Sequence, residues 1–246
     1  EMIERGRRLV AARGGDVGPD DPFVRLLEEA KQLRGRIHVE IGDAKQRTAA
    51  IAELRSAYDR ARVLYRERPN DTVALADYVR AAGVYANQAA MHRDADPDEM
   101  ARALEAVGEA LAKSAHTDES IGLLYHHRRL CRYARGLVLV RLERLPEAFD
   151  VAMEIDDSAR ARDPADPFTF RMAADLWSEL LGTETDPDAR DELRELTLVA
   201  LEAAVEVGFN DAKDLRSVPA LDAFRDEPRF QALLETIEGP ASEEDG

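Results

Sequence analysis

The first pattern in this chain able to do chemistry is a histidine and a cysteine four positions apart, His127 and Cys131, with His126 alongside. On a helix that spacing sets two metal ligands on one face, and zinc would need two further donors from elsewhere in the chain. The competing reading packs Cys131 in a core and leaves the histidines at a helix interface. A second pattern, Asp94, Asp96, Asp98 and Glu105, matches positions 1, 3, 5 and 12 of a calcium loop. Glu99 stands where that loop requires glycine, however, and Pro97 opens a helix that would splay the ligands. Carboxylates at a helix N-terminus, favoured by the dipole, account for the run better. A third pattern, His92-Arg93-Asp94, spells a triplet used in phosphoryl transfer. Glu99 replaces the metal-binding asparagine that should follow five residues later, and the chain has neither a glycine-rich phosphate loop nor Asp-Phe-Gly. Finally, Arg128, Arg129, Arg132 and Arg135 can receive a phosphate or an acidic segment, or pair with carboxylates of an adjacent helix. The second use is favoured, because arginine is the dominant base throughout the chain. The expectation is a non-catalytic chain with no metal and no cofactor.

The elements that would position these groups are helices. Alanine, leucine, arginine and glutamate dominate a chain that is 45% hydrophobic and 34% charged, and all four are good helix formers. Breakers divide it into helices over about 22–41, up to Arg68, 71–91, 97–115, 118–141, 146–160, 166–181 and 187–207, with short ones near Leu221 and Phe230. Residues 13–22 and 182–187 read as loops, and 239–246 as a disordered tail. Gly83 with Ala-rich neighbours, and Gly136 followed by Ala148, supply the small residues that let helices of a pair approach closely. Tyr78 and Tyr85, seven apart, share a helix face.

Charge narrows the partners. The net charge of −16 is uneven: residues 1–70 carry 15 basic and 12 acidic side chains, 71–145 carry 10 and 11, and 146–246 carry 9 and 27. An acidic C-terminal part repels phosphate backbones and anionic lipid, so neither nucleic acid nor membrane contact is expected. No apolar run approaches the roughly 20 residues of a spanning helix. One cysteine excludes an internal disulfide and fits a reducing compartment, so a cytoplasmic location is expected. The chain begins at Glu1 and reads as a piece of a longer protein.

The stretch from Leu198 onward carries the most specific signal. It runs from an alanine-rich helix into Gly208-Phe209-Asn210-Asp211-Ala212, then Asp214-Leu215-Arg216, Pro219-Ala220-Leu221-Asp222, Phe224-Arg225 and Pro228-Arg229-Phe230-Gln231-Ala232-Leu233-Leu234. This run resembles the closing part of the tetratricopeptide-repeat (TPR) region that follows the catalytic domain in planctomycete-type bacterial serine/threonine protein kinases. The resemblance covers the last forty or so residues well, the middle less and the first seventy weakly. It implies an all-α, right-handed TPR-like solenoid of helical hairpins over residues 22–238, preceded by a helix end and linker over 1–21 and closed by short capping helices. It also implies a concave groove lined by the first helix of each pair: Asp77, Arg80, Val84, Asn87 and Gln88, then Tyr133, Leu137 and Arg141. Val84 and Leu137 sit where a clamp for a partner's C-terminal carboxylate tends to use polar side chains, so chaperone-tail binding is not supported. The function implied is recognition of a protein or peptide segment that brings partners or substrates to an attached kinase. The alternative is self-association, or regulatory packing against the kinase itself.

Overall fold

Aspartate followed by proline starts three of the helices, and the reason is local. In Asp96-Pro97, Asp166-Pro167 and Asp186-Pro187 the carboxylate accepts hydrogen bonds from the first free backbone N–H groups, while proline fills the first helical position, where its missing N–H costs nothing. Asp71 caps in the same way, accepting from the backbone N–H groups of Val73 and Ala74. A computed structural model of the chain describes residues 44–92, 95–117, 122–162 and 164–239. The expected helix over 22–41, the loop over 13–22 and nearly all of the tail over 239–246 lie outside the described residues. The described chain is all-helical and divides into two compact units, Glu1–Leu142 and Glu143–Gly246. The division falls inside the single repeat domain that the sequence suggests.

Unit 1 contains α1 (Ala44–Glu67), α2 (Thr72–Met91), α3 (Pro97–Ser114) and α4 (Gly122–Arg141). Helix α2 packs against α1, α3 and α4, and its composition permits this. Ala74, Ala81, Ala82, Ala86, Ala89 and Ala90 are all buried, so neighbours close in on several sides without steric conflict. Helix directions follow from which residues meet. Tyr58 and Tyr65 of α1 both stack on Tyr78, and Tyr58 also stacks on Tyr85, so α1 and α2 run antiparallel. Arg55 reaches Glu99 at 2.6 Å and Arg62 reaches Glu109 at 2.8 Å, so α1 and α3 run parallel. The Cys131 thiol donates to the Val79 carbonyl at 3.1 Å and Arg141 Nε to the Ala90 carbonyl at 3.1 Å, so α2 and α4 are parallel too. Unit 1 therefore has two layers, α1 with α3 and α2 with α4. Gly83 fixes the second layer: a Cβ there would stand 3.1 Å from both Cys131 Sγ and Leu130 Cγ.

Unit 2 contains α5 (Leu145–Arg160), α6 (Pro167–Thr183), α7 (Pro187–Glu206), α8 (Ala212–Ser217), a 3-10 turn (Pro219–Phe224) and α9 (Pro228–Glu238). Helix α6 packs between α5 and α7, burying Trp177 completely against the edge of Phe149. It runs through Gly182 to Thr183, longer than the breakers suggest, because Asp-Pro at 186–187 leaves only Glu184, Thr185 and Asp186 to make the turn. Arg190 Nη1 bridges that turn by donating to the Leu181 and Glu184 carbonyls. The closing segment caps α6 and α7. Leu215, Leu221, Phe224 and Phe230 are buried, Arg171 pairs with Asp214 at 2.8 Å, and Arg229 grips both Glu195 and Glu202 of α7. Gly208, at φ 104°, makes the turn out of α7 in a conformation that favours glycine.

Candidate functional site

Beyond its first turn, where Thr72 and Val73 are exposed, helix α2 is buried nearly all round, and the exceptions form a line. Asp77, Arg80, Val84 and Asn87 are half-buried and Met91 is exposed, following the i, i+3, i+7, i+10, i+14 spacing of one helix face. Four of the eight predicted groove residues thus share a narrow stripe on α2. The fifth, Gln88, stands only about 20° from Asp77 around the helix yet is buried at 4% exposure. On α4, Tyr133 is half-buried while Leu137 is buried at 2% exposure and packs rather than faces solvent. Arg141 is half-buried and holds the Ala90 carbonyl at the end of α2, a backbone group the helix itself leaves unsatisfied. Of the eight, then, Gln88 and Leu137 belong to the core and Arg141 ties two helices together. Asp77 and Arg80 pair with each other at 3.4 Å.

His127 stands beside this stripe. Burial holds its pKa down to about 4, and the positive charge of Arg80 and the neighbouring His126 add to that, so the ring is neutral at physiological pH. Cys131 is fully buried, and burial pushes its thiol up to about 12. The thiol is turned toward the Val79 carbonyl and packs between α2 and α4. Arg128, at 3% exposure, donates to the Thr117 carbonyl at 3.0 Å, and Arg129 lies over the Tyr125 ring. Half of the arginine cluster is thereby built into the helix packing.

The acidic run also resolves into structure. Asp96 is the N-cap of α3, Asp98 lies in its first turn and Glu105 is exposed farther along; Asp94 and Arg93 lie outside the described residues. No group of three or more His, Cys, Asp or Glu side chains able to hold a metal ion occurs among the described residues. Glu99, whose identity argued against both a calcium loop and a phosphoryl-transfer loop, instead joins three helices. It receives hydrogen bonds from Arg55 at 2.6 Å, Arg102 at 3.0 Å and the Tyr85 hydroxyl at 2.6 Å. Sequence reasoning missed this junction. The signal available was a second tyrosine pair, Tyr58 and Tyr65, at the same seven-residue spacing as Tyr78 and Tyr85.

No protein family, curated protein or solved structure matches this chain. Among the described residues, no helix is long and apolar enough to cross a membrane.

Proposed function

We propose that the chain is a non-catalytic, TPR-like scaffold that recognises a protein segment along α2 and brings partners or substrates to an attached serine/threonine kinase. One observation carries the reading: beyond its first turn, α2 leaves only Asp77, Arg80, Val84, Asn87 and Met91 unburied, while α1, α3 and α4 hold it from the other sides. A helix so held presents a preorganised row of side chains, and a partner binding there orders little of the protein. The two parallel layers of unit 1 support a stack of helical hairpins. Gly83 meets Cys131 48 residues farther on, whereas a standard TPR unit spans about 34, so these hairpins are longer than that motif's.

The test places a photo-crosslinking amino acid at Val84 in the full-length protein within its source cells. A crosslink to a different protein, lost in a Met91→Glu variant that melts normally, supports recognition along α2. A crosslink to a second copy of the chain, or to the attached kinase domain, replaces this reading with self-association or regulatory packing. A coding region with no kinase motifs on the same polypeptide removes the kinase from the proposal.

A further inference from the structure

Helix α5 of unit 2 has an outward arc of a different kind. Its core face is Ala148, Val151, Ala152, Ile155 and Ala159. Phe149 stands at the flank of that face, about 100° from Ala148, with its ring in edge contact with Trp177, and Met153 follows about 40° farther round; they remain 36% and 37% exposed. Asp157 and Asp150 follow next on the same arc, both exposed. The arginines at the two ends of α5 are already engaged. Arg144 makes a two-pronged contact with Glu147, and Arg160 pairs with Asp156 while lying over the Phe170 ring. Among the described residues no ion pair reaches Asp150 or Asp157. The arc is therefore an apolar edge bordered by uncompensated negative charge.

The surrounding unit reinforces that sign. Residues 143–246 carry 28 acidic and 10 basic side chains, a net −18, whereas residues 1–142 carry 22 and 24, a net +2. The whole negative excess of the protein lies in the unit that bears α5. Such a field attracts cationic segments and repels anionic lipid and nucleic acid.

We propose that the Phe149–Met153 edge with Asp150 and Asp157 is a docking surface for a basic amphipathic helix of a partner protein. The partner's apolar face covers Phe149 and Met153, the polarizable methionine adapting to its shape, and its lysines or arginines meet the two aspartates. This surface is independent of the stripe on α2 and does not require it.

The test uses the full chain and a synthetic, fluorescently labelled leucine–lysine peptide with leucines at i, i+3, i+4 and i+7. A second peptide of identical composition has its leucines spread around the helix. Anisotropy titrations should show the amphipathic peptide binding at least tenfold more tightly, with affinity falling as salt rises. Met153→Lys, and separately Asp150→Lys combined with Asp157→Lys, should each weaken binding at least fivefold. Glu192→Lys combined with Glu206→Lys, the same total change of charge as the aspartate pair and at exposed positions on α7, should change it less than twofold. Thermal melts of each variant identify loss of folding, and the two α5 variants change independent, exposed positions. Equal binding of both peptides, equal effects of the α5 and α7 variants, or no binding at low salt would overturn the proposal.

Discussion

Gly83 concentrates the packing of unit 1 into one position. A methyl group there would press on Cys131 Sγ and Leu130 Cγ at 3.1 Å, so the neighbours would need to give by a few tenths of an ångström. Replacing glycine by alanine inside a helix gains about 1 kcal/mol of propensity, which the contact offsets, so Gly83→Ala should be near neutral in urea unfolding. Gly83→Leu has no such room and should cost about 1–3 kcal/mol or more as α2 and α4 are forced apart. Cys131 next to it should be inert: its thiol, buried and pushed up to about 12, should react with Ellman's reagent only after denaturation. His127 has a pH signature. The folded chain takes up its proton only near pH 4, whereas the unfolded chain does so near the ordinary value of about 6.5. A depressed histidine pKa makes protonation favour the unfolded state, so this contribution to stability is lost as pH falls from about 6.5 toward 4. Urea midpoints at pH 7.5 and pH 5 should therefore drop less in His127→Gln than in the natural chain.

Helix pairing depends on polar junctions laid over apolar contacts. Glu99 is the clearest, since it joins Arg55 of α1, Arg102 of its own helix and the buried Tyr85 of α2. Burial raises the Tyr85 pKa and the hydrogen bond to Glu99 raises it further, so the tyrosine remains a donor at any physiological pH. Glu99→Ala strands that hydroxyl in the interior and should cost about 1–3 kcal/mol, with Glu99→Gln, which keeps an acceptor, costing less. Chemical denaturation of the three proteins checks the order. The helices themselves were legible from the chain: the Asp-Pro starts at 96–97, 166–167 and 186–187 predicted boundaries that the structure keeps within a few residues. Gly182 misled, because a glycine at a helix end reads as a break, while Arg190 and the cap at Asp186 let α6 run one residue beyond it. In the groove, the spacing of Asp77, Arg80, Val84 and Asn87 was enough to place them on one face. Burial of Gln88 and Leu137 was not legible, since it depends on which neighbours α2 and α4 acquire.

At the scale of the whole molecule, aromatic residues and charge both follow the division into units. All six tyrosines lie in unit 1, and the single tryptophan, Trp177, lies in unit 2. Tyrosine and tryptophan emission thus report separately on the two. The net −18 of unit 2 implies self-repulsion that salt screens over about 10 Å at 0.1 M. Raising salt from low to moderate concentration should raise the thermal midpoint followed by Trp177 more than the midpoint followed by tyrosine. Equal shifts would place the repulsion outside unit 2. Junctions such as Arg229 with Glu195 and Glu202 weaken in salt, and a fall in the tryptophan midpoint would show that those pairs outweigh the repulsion.

The sequence by itself determined that this chain is helical, where most of its helices begin and end, and that its negative charge gathers toward the C-terminus. These are local properties: propensity, caps, prolines and the count of side chains act over a few residues and do not wait for a fold. Only the tertiary structure decided which residues of α2 remain in a solvent-facing stripe, that Glu99 joins three helices, that Arg141 closes the end of α2, and that Phe149 and Met153 stay exposed on an acidic helix. Those outcomes depend on contacts between helices, from 14 to 51 positions apart on the chain, and side-chain spacing along one helix carries no record of what another helix brings against it.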